Sequence, residues 1–299
     1  MQAPQTDMTG TILKAISGFY YVETETGLVE CKARGRFRNG NVTPLVGDRV
    51  ELSVEGAQGT VDEILPRKNE LYRPPVANID KLFIVSSSVT PVPNTLLIDR
   101  MTALCEYKGI EPVILFNKND LEKVEPWCEI YRSAGFKTIA CSAVSHEGIE
   151  EITAEMEGVI SAFTGNSGAG KSSLLNVIFP ELSLSTGEVS NKLGRGRHTT
   201  RHTELFRHSY GGYVADTPGF SSLEADKDDL AFKEALPELF IEFESFKDNC
   251  RFTDCAHIGD KGCAVCEAVK KGQIPRSRYD SYITIYNELK DVKAWNVKK

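Results

Sequence analysis

The chain has 299 residues, of which 41% are hydrophobic and 26% charged, and its net charge is −7. This length suffices for about two domains with buried cores, or three if one is small. Residues 1–10 lack a basic and apolar leader, and nowhere do eighteen apolar residues run together, so we expect a cytoplasmic protein without a membrane span. The acidic balance excludes a surface that attracts nucleic acid everywhere, but not a local basic patch.

Short β-type runs alternate with glycine-bearing turns from residue 9 to about residue 70. Five runs follow one another: GTILKAI, GFYYVET, GLVECKARG, GDRVELSV and GTVDEILP. This pattern predicts a small closed all-β barrel, for which an OB-fold is the commonest candidate. The tripeptide RPP at 73–75 indicates a linker, so we place the first domain at residues 1–72.

A basic stretch, KARGRFR, occupies residues 32–38 of this region. It holds four basic side chains, no acidic one, and an aromatic ring able to stack on a base. We interpret it as an RNA-binding patch, against the alternative of a solvated basic loop. Its residues are Lys32, Arg34, Arg36, Phe37 and Arg38.

Beyond the linker the pattern changes to apolar runs that alternate with helical segments. KLFIVSS, PVILFNK and KTIACSA are such runs, and the alternation is typical of βαβ units around a buried parallel sheet. TELFRH and GGYVADT flank a Gly-Gly turn and predict a hairpin that returns to the sheet. We expect an α/β P-loop domain over residues 73–222, then an α-helical, cysteine-rich domain over residues 223–299.

The segment GNSGAGKS fits the phosphate-loop pattern G-x-x-x-x-G-K-[ST]. Its glycines let backbone N–H groups turn inward around phosphate oxygens, while Lys171 neutralises phosphate charge and Ser172 can ligate Mg²⁺. An apolar strand precedes it and an apolar-periodic helix follows, as such a loop requires. The predicted nucleotide contacts are Gly165, Asn166, Ser167, Gly168, Ala169, Gly170, Lys171, Ser172 and Ser173.

The segment LFNKNDL distinguishes GTP from ATP. The Asp120 carboxylate can accept hydrogen bonds from guanine N1–H and from its N2 amino group, a pair of donors that adenine lacks. CSA at 141–143 ends another predicted strand and can support the base through backbone N–H groups. The predicted base contacts are Asn117, Lys118, Asn119, Asp120, Ser142 and Ala143.

Two further segments predict γ-phosphate contacts. In DTPG, Asp216 can hold the Mg²⁺ shell and Gly219 can present its N–H to the γ-phosphate. The basic segment NKLGRGRHTTRH precedes it and is predicted to be a switch loop whose Thr199 or Thr200 reaches GTP, although it could equally contact an RNA backbone. The predicted magnesium ligands are Ser172, Thr200 and Asp216.

The catalytic water lacks its usual partner, because Phe220 stands where many GTPases have glutamine. His198 is therefore our candidate catalytic residue, against simple solvation or RNA contact.

The base motif also precedes the phosphate loop, which indicates a circular permutation. Ligand loops gather at the carboxyl ends of strands whatever the strand order, so the pocket survives. The permutation further suggests that the segment 216–220 is tied to the C-terminal domain, about thirty residues before Cys250.

The segment CRFTDCAHIGDKGC concentrates metal ligands within a short stretch. In a reducing compartment, crowded cysteines favour a metal over disulfides. Three thiolates and one imidazole suit a closed, tetrahedral, structural Zn²⁺ site, one per chain, although Cys266 could replace His257. The predicted ligands are Cys250, Cys255, His257 and Cys263.

The joint order of VGDRV, LLIDR, NKNDL, GNSGAGKSSLLN, GRHTTRHTELF, DTPGF and the cysteine cluster resembles one family over nearly the full length. This is the circularly permuted bacterial GTPases of ribosome assembly, the ribosome small-subunit-dependent GTPase A family. The resemblance implies an N-terminal OB-fold, a permuted GTPase domain and a C-terminal zinc domain.

The same resemblance implies a protein that binds GTP with Mg²⁺ and acts late in maturation of the small (30S) ribosomal subunit. We separately expect a monomer. Its partners would be that subunit and its 16S rRNA, GTP and GDP, and no membrane. Subunit-stimulated hydrolysis would release the protein. The alternative from another class is an RNA-binding module in which GTP is mainly a structural or regulatory ligand.

Overall fold

The structure is a computed structural model, which describes residues 6–35, 37, 42–56, 58–72, 74–180, 203–216 and 233–290. The chain divides into two compact units, each assembled from segments that are distant in sequence. The first comprises Met1–Lys81, Thr153–Phe163 and Val189–Ser221; the second comprises Leu82–Ile152, Thr164–Glu188 and Ser222–Lys299. The sequence-based boundaries after residues 72 and 222 remain predictions.

The first unit contains the predicted five-stranded barrel, which is OB-like. Its strands are β1 (Thr6–Ile16), β2 (Phe19–Thr24), β3 (Gly27–Ala33), β4 (Arg49–Glu55) and β5 (Gln58–Ile64). β1 pairs antiparallel with both β2 and β4, β3 pairs antiparallel with β2, and parallel pairing of β3 with β5 closes the ring. Alternate residues such as Ile12, Val22 and Val61 point inward and are fully buried.

A buried ion pair braces the end of the loop between β3 and β4. The Asp48 carboxylate accepts hydrogen bonds from Arg67 Nε at 2.7 Å and from Leu45 N at 2.7 Å. The Arg67 guanidinium also donates to the Thr43 carbonyl at 2.7 Å. Two short strands follow, β6 (Glu70–Tyr72) and β7 (Pro75–Ala77).

The α/β region runs through β8 (Lys81–Ser87), α1 (Thr95–Lys108), β9 (Glu111–Asn117), α2 (Glu125–Ser133), β10 (Lys137–Ala140) and α3 (Ile149–Glu155). β9 and β10 pair in parallel, as the βαβ pattern predicts. Asn94 caps α1 by accepting a hydrogen bond from Leu97 N, and Gly109, at φ 65°, ends the helix in the left-handed region. β9 is buried from its second residue to its last, so polar side chains at its carboxyl end need partners.

The chain then forms β11 (Ile160–Gly165), α4 (Lys171–Ile178), β12 (Glu204–Arg207) and β13 (Tyr213–Asp216). β12 and β13 form the expected hairpin, and β13 pairs in parallel with the first residues of β11. On its other side, β12 pairs antiparallel with β1 of the barrel. A Cβ at Gly212 would lie 2.4 Å from the Val159 carbonyl oxygen, so only glycine fits this turn.

The C-terminal region is helical, as expected. It comprises 3₁₀ turns at Leu236–Leu239 and Ile241–Phe243, then α5 (Glu244–Lys247), α6 (Ala264–Lys270) and α7 (Arg276–Leu289). Phe240 and Phe243 both meet Tyr282 edge-on, with ring centroids 5.1 and 4.9 Å apart. Among the helices described, none has the length and apolar character needed to cross a membrane.

A fully buried arginine fastens α7 to α1. Arg278 donates to Asp99 at 2.8 Å and to both carboxylate oxygens of Glu242, at 2.7 and 3.0 Å. Burial alone would lower the pKa of Arg278, but the two carboxylates outweigh it and hold that pKa above its ordinary value. Removing one partner would leave a buried charge uncompensated, which is costly.

We expect Arg278→Ala to lower the free energy of unfolding by about 3–5 kcal/mol, because Asp99 and Glu242 would stay buried without their cation. Arg276→Ala on the same helix is the matched control. It removes an exposed ion pair with Asp280, worth about 0–1 kcal/mol. Urea titrations followed by circular dichroism compare the two, and equal losses would contradict the role given to Arg278.

Candidate functional site

The Asn117 side chain joins three loops of the second unit. Its amide nitrogen donates to the Ala169 carbonyl of the phosphate loop at 3.0 Å. Its amide oxygen accepts from Ala143 N, in the CSA segment, at 3.2 Å. Because Asn117 is 2% exposed, these bonds are formed away from water. The residue thus brings the base motif, the phosphate loop and the CSA segment together.

Lys118 crosses from the base motif to the phosphate loop. Its backbone lies in the left-handed region at φ 68°. Its ammonium group donates to the Gly168 carbonyl at 2.8 Å and also to the Thr90 carbonyl. Ser88 donates to the Lys118 carbonyl at 3.0 Å, so the loop after β8 also supports this motif. Sequence reasoning missed Ser88 and Thr90, since Thr90 contributes only its backbone carbonyl and Ser88 is one hydroxyl among the three serines at 86–88.

The Asp120 carboxylate is exposed but oriented. Ser142, which is fully buried, donates its hydroxyl to Asp120 Oδ1 at 2.5 Å. The same hydroxyl oxygen accepts from Val144 N at 3.1 Å and from Ser145 N at 3.0 Å. Ser142 is therefore fixed by its own loop and fixes Asp120 in turn, in a position that a ligand can reach.

Asn119, predicted to contact GTP, has a different environment from its neighbours. It is 6% exposed, donates to Glu147 Oε1 at 2.7 Å and accepts from Val124 N at 3.1 Å. These contacts shape the turn that presents Asp120.

The phosphate loop joins β11 to α4, the context that the motif requires. At Gly165, with φ 151°, a Cβ would lie 2.2 Å from the Val85 carbonyl oxygen. At Gly170, with φ 86°, it would lie 2.3 Å from the Asn117 amide nitrogen. Both glycines therefore permit a backbone path that a side chain would block.

The side chains of the loop differ in access to solvent. Ser167 and Ser173 are exposed, Asn166, Lys171 and Ser172 are half-buried, and Ala169 is buried.

Several predicted residues fall outside this described geometry. His198, Thr199, Thr200, Gly219, Arg36 and Arg38 lie outside the described residues. Asp216 is the last residue of β13, which pairs in parallel with β11, the strand that leads into the phosphate loop.

The described part of the basic patch is partly engaged within the barrel. Lys32 is exposed and its ammonium lies 5.1 Å from the centroid of the Phe19 ring. Arg34 forms an ion pair with Asp62, and Phe37 N donates to the Arg34 carbonyl at 3.1 Å.

Cys250, Cys255, His257 and Cys263 bring their ligand atoms within 4.8 Å of one another. Sγ of Cys250 and of Cys263 each lie 3.5 Å from His257 Nδ1, and 3.9 Å from each other. A tetrahedral zinc site implies edges of about 3.5 Å between S and N and about 3.8 Å between sulfurs. The residues therefore fit Zn²⁺ in both donor type and spacing.

The surroundings also suit a metal. Backbone N–H groups of Ala264 and Cys266 donate to Cys250 Sγ and Cys263 Sγ, at 3.3 and 3.4 Å, where they would stabilise thiolates. Burial lowers the pKa of His257, which favours the neutral imidazole that binds metals. Cys266 Sγ lies instead 3.1 Å from the Tyr279 hydroxyl, outside the group of four.

Family models match most of the chain. The one described as RsgA N-terminal domain matches residues 9–61, the barrel. The one described as RsgA GTPase matches residues 64–226, which include the base motif and the phosphate loop.

Relatives match almost end to end. A protein of Caldanaerobacter subterraneus subsp. tengcongensis named Small ribosomal subunit biogenesis GTPase RsgA is 50% identical over 286 residues, covering 94% of this chain and 96% of its own. A Geobacillus thermodenitrificans protein of the same name is 46% identical, covering 95% and 98%.

Two solved structures are similar as well. YjeQ from Thermotoga maritima has a TM-score of 0.83 at 37% identity, covering 96% of this chain and 100% of that one. YloQ, described as a circularly permuted GTPase, has a TM-score of 0.80 at 37% identity, covering 96% of each. The chain therefore belongs to the RsgA GTPase family, has the fold of a circularly permuted GTPase, and is a GTP hydrolase.

Proposed function

We propose that this protein hydrolyses GTP in late maturation of the small ribosomal subunit, that the subunit stimulates hydrolysis, and that hydrolysis releases the protein. The supporting observation is the near end-to-end match to relatives named for small ribosomal subunit biogenesis, at 50% identity over 94% of the chain. Such coverage means that this chain and these relatives share more than a nucleotide site. A monomer in the cytoplasm, with GTP, GDP, the 30S subunit and its 16S rRNA as partners, belongs to the same proposal.

Guanine recognition would depend on Asp120. Its carboxylate, oriented by Ser142, would accept hydrogen bonds from guanine N1–H and N2, while Asn117 and Asn119 hold the surrounding turns. Phosphates would be bound by the backbone N–H groups of the phosphate loop and by Lys171. The full proposed GTP set is Asn117, Lys118, Asn119, Asp120, Ser142, Ala143, Gly165–Ser173, Thr199, Thr200, Asp216 and Gly219.

Hydrolysis would use Ser172, Thr200 and Asp216 as ligands of Mg²⁺, whose charge offsets that of the phosphate oxygens. Hydroxyl and carboxylate oxygens are the donors that this ion prefers, and Ser172 stands in the first turn of α4. Gly219 would donate its N–H to the γ-phosphate. His198 would orient the attacking water, because the Phe220 ring has no hydrogen-bonding group.

The Cys₃His group would bind one structural Zn²⁺ per chain. Four protein ligands leave no open position for a catalytic water, so the ion would stabilise the fold of residues 250–266.

RNA contact would involve the basic patch of the barrel, Lys32, Arg34, Arg36, Phe37 and Arg38. Lys32 supports this reading because it is exposed, whereas Arg34 would first have to exchange Asp62 for a phosphate.

The second candidate function is an RNA-binding module in which GTP is a structural or regulatory ligand. Phe220 favours it, since the usual water-positioning side chain is missing.

Subunit stimulation separates the two functions. We expect purified small subunits to raise the rate of GTP hydrolysis at least about tenfold, a barrier reduction of about 1.4 kcal/mol. His198→Ala should retain GTP affinity and lose most of the stimulated rate. Phosphate release is the measurement. If added subunits do not change the wild-type rate of GTP hydrolysis, the RNA-binding module is favoured. If subunits stimulate His198→Ala as strongly as wild type, only the catalytic role of His198 is wrong.

Asp120→Asn should change the nucleotide specificity of the protein from guanine to xanthine. Guanine N1–H and N2 would lose their hydrogen bonds to a charged acceptor, so GTP affinity should fall at least about 100-fold. Xanthosine triphosphate, which carries a carbonyl at position 2, should bind better than GTP. Fluorescent-nucleotide competition measures both affinities, with Glu122→Gln, an exposed neighbouring acid, as control. Equal GTP affinity in Asp120→Asn and wild type would contradict this base contact.

Zinc content identifies the fourth ligand. We expect His257→Ala to lose the bound zinc, and Cys266→Ser to keep one ion per chain, because His257 belongs to the ligand group and Cys266 does not. Inductively coupled plasma mass spectrometry of the purified variants measures the ratio. Zinc retained in His257→Ala and lost in Cys266→Ser would instead support a site made of four cysteines.

A further inference from the structure

The hairpin β12–β13 is paired with the barrel at one edge. β12 runs antiparallel to β1, with Lys14 opposite Glu204. The Lys14 ammonium lies 2.6 Å from Glu204 Oε2, so opposite charges reinforce the pairing. A two-stranded hairpin is marginally stable alone, so its geometry depends on the strands beside it.

One carboxylate of the barrel contacts both strands of this hairpin. Glu23, on β2, accepts a hydrogen bond from the Tyr213 hydroxyl of β13. Its Oε1 also lies 3.5 Å from the Arg207 guanidinium of β12. The Glu23 side chain is 24% exposed, so water screens it only in part. Burial and then Glu23 raise the pKa of Tyr213 to about 12, so its hydroxyl stays a donor even at alkaline pH.

The hairpin ends at Asp216, a residue proposed to ligate Mg²⁺. Tyr213 begins β13 and Asp216 ends it, and Asp216 pairs with Glu204 on β12. On its other edge β13 pairs with β11, the strand that continues into the phosphate loop. A shift of the hairpin would therefore move the backbone of Asp216.

The other edge of β2 pairs with β3, the strand that carries Lys32 of the basic patch. Phe19 stands opposite Lys32 in that pairing, and Glu23 stands opposite Leu28. The patch and the hairpin are thus joined through two neighbouring barrel strands, with Glu23 as the side chain that reaches across.

We propose that Glu23 is a positioning residue for GTP hydrolysis. Through Tyr213 and Arg207 it fixes the hairpin that ends at Asp216. Engagement of the barrel by RNA is thereby passed to the nucleotide site, and the exchange of GTP for GDP at that site is passed back to the barrel. The RNA-driven part rests on the proposed function, whereas the contact between barrel and hairpin does not.

The first experiment compares kcat and KM for GTP, with and without small subunits. Glu23→Gln and Tyr213→Phe should lower the subunit-stimulated kcat about 3- to 30-fold, the range of typical coupling effects. KM should stay close to wild type, and the stimulated kcat should fall by a larger factor than the unstimulated rate, which separates lost coupling from lost folding. Glu25→Gln, an exposed acid in the turn after β2, is the control. Stimulated rates equal to wild type in both variants would overturn the proposal.

The second experiment needs no ribosomal subunit. Hydrogen exchange of β1 and β2 is measured with GDP and with a non-hydrolysable GTP analogue. We expect protection of these strands to differ between the two nucleotides in the wild type, and the difference to shrink in Glu23→Gln. Identical protection of the wild type in both states would also overturn the proposal. If subunits fail to stimulate wild type while the nucleotide-dependent protection is found, the proposed function fails and the Glu23 contact stands.

Discussion

The nucleotide site depends on the two hydrogen bonds made by the side-chain amide of Asn117. It donates to the Ala169 carbonyl and accepts from Ala143 N, so it needs an NH₂ at one end and an oxygen at the other. An aspartate of the same shape would bring negative charge against the Ala169 carbonyl and lose that bond. Because the residue is buried, the loss would leave unsatisfied polar groups, a larger cost than the bond is worth net.

Such contacts explain why the permuted order of the motifs is tolerated. Asn117 and Ala169 are 52 residues apart, and their hydrogen bond depends only on where the two strands end. Carboxyl ends of parallel strands meet at one edge of a sheet, whichever strand comes first in the chain. The loop after β8 takes part in the same way, through the Thr90 carbonyl that accepts from Lys118. The site is thus a property of strand placement, and the order of connections is free to change.

Sequence patterns predicted those parts whose chemistry demands particular side chains. The phosphate-loop glycines, Asp120 and the Cys₃His group were candidates for that reason, and the barrel was predicted from short β-type runs that alternate with glycine-bearing turns. Carbonyl acceptors such as Thr90 were not predictable, because every residue has a carbonyl. Neither was Glu23, one of 42 acidic residues, since its partner Tyr213 lies 190 positions away and only the fold brings them together.

Two attachments of different strength hold the C-terminal helix and the hairpin. The C-terminal helix α7 is fixed to α1 by Arg278, fully buried between two carboxylates, so separating them would expose an uncompensated charge. Among the described residues, the hairpin meets the barrel through one register pair, the hydrogen bond from Tyr213 to Glu23 and partly exposed ion pairs, which rearrange at smaller cost than a fully buried charge. Permutation in sequence alone suggested the zinc region as the moving part. We propose the barrel as a second responding part, because a bistable contact must be weak enough to change when a phosphate is lost.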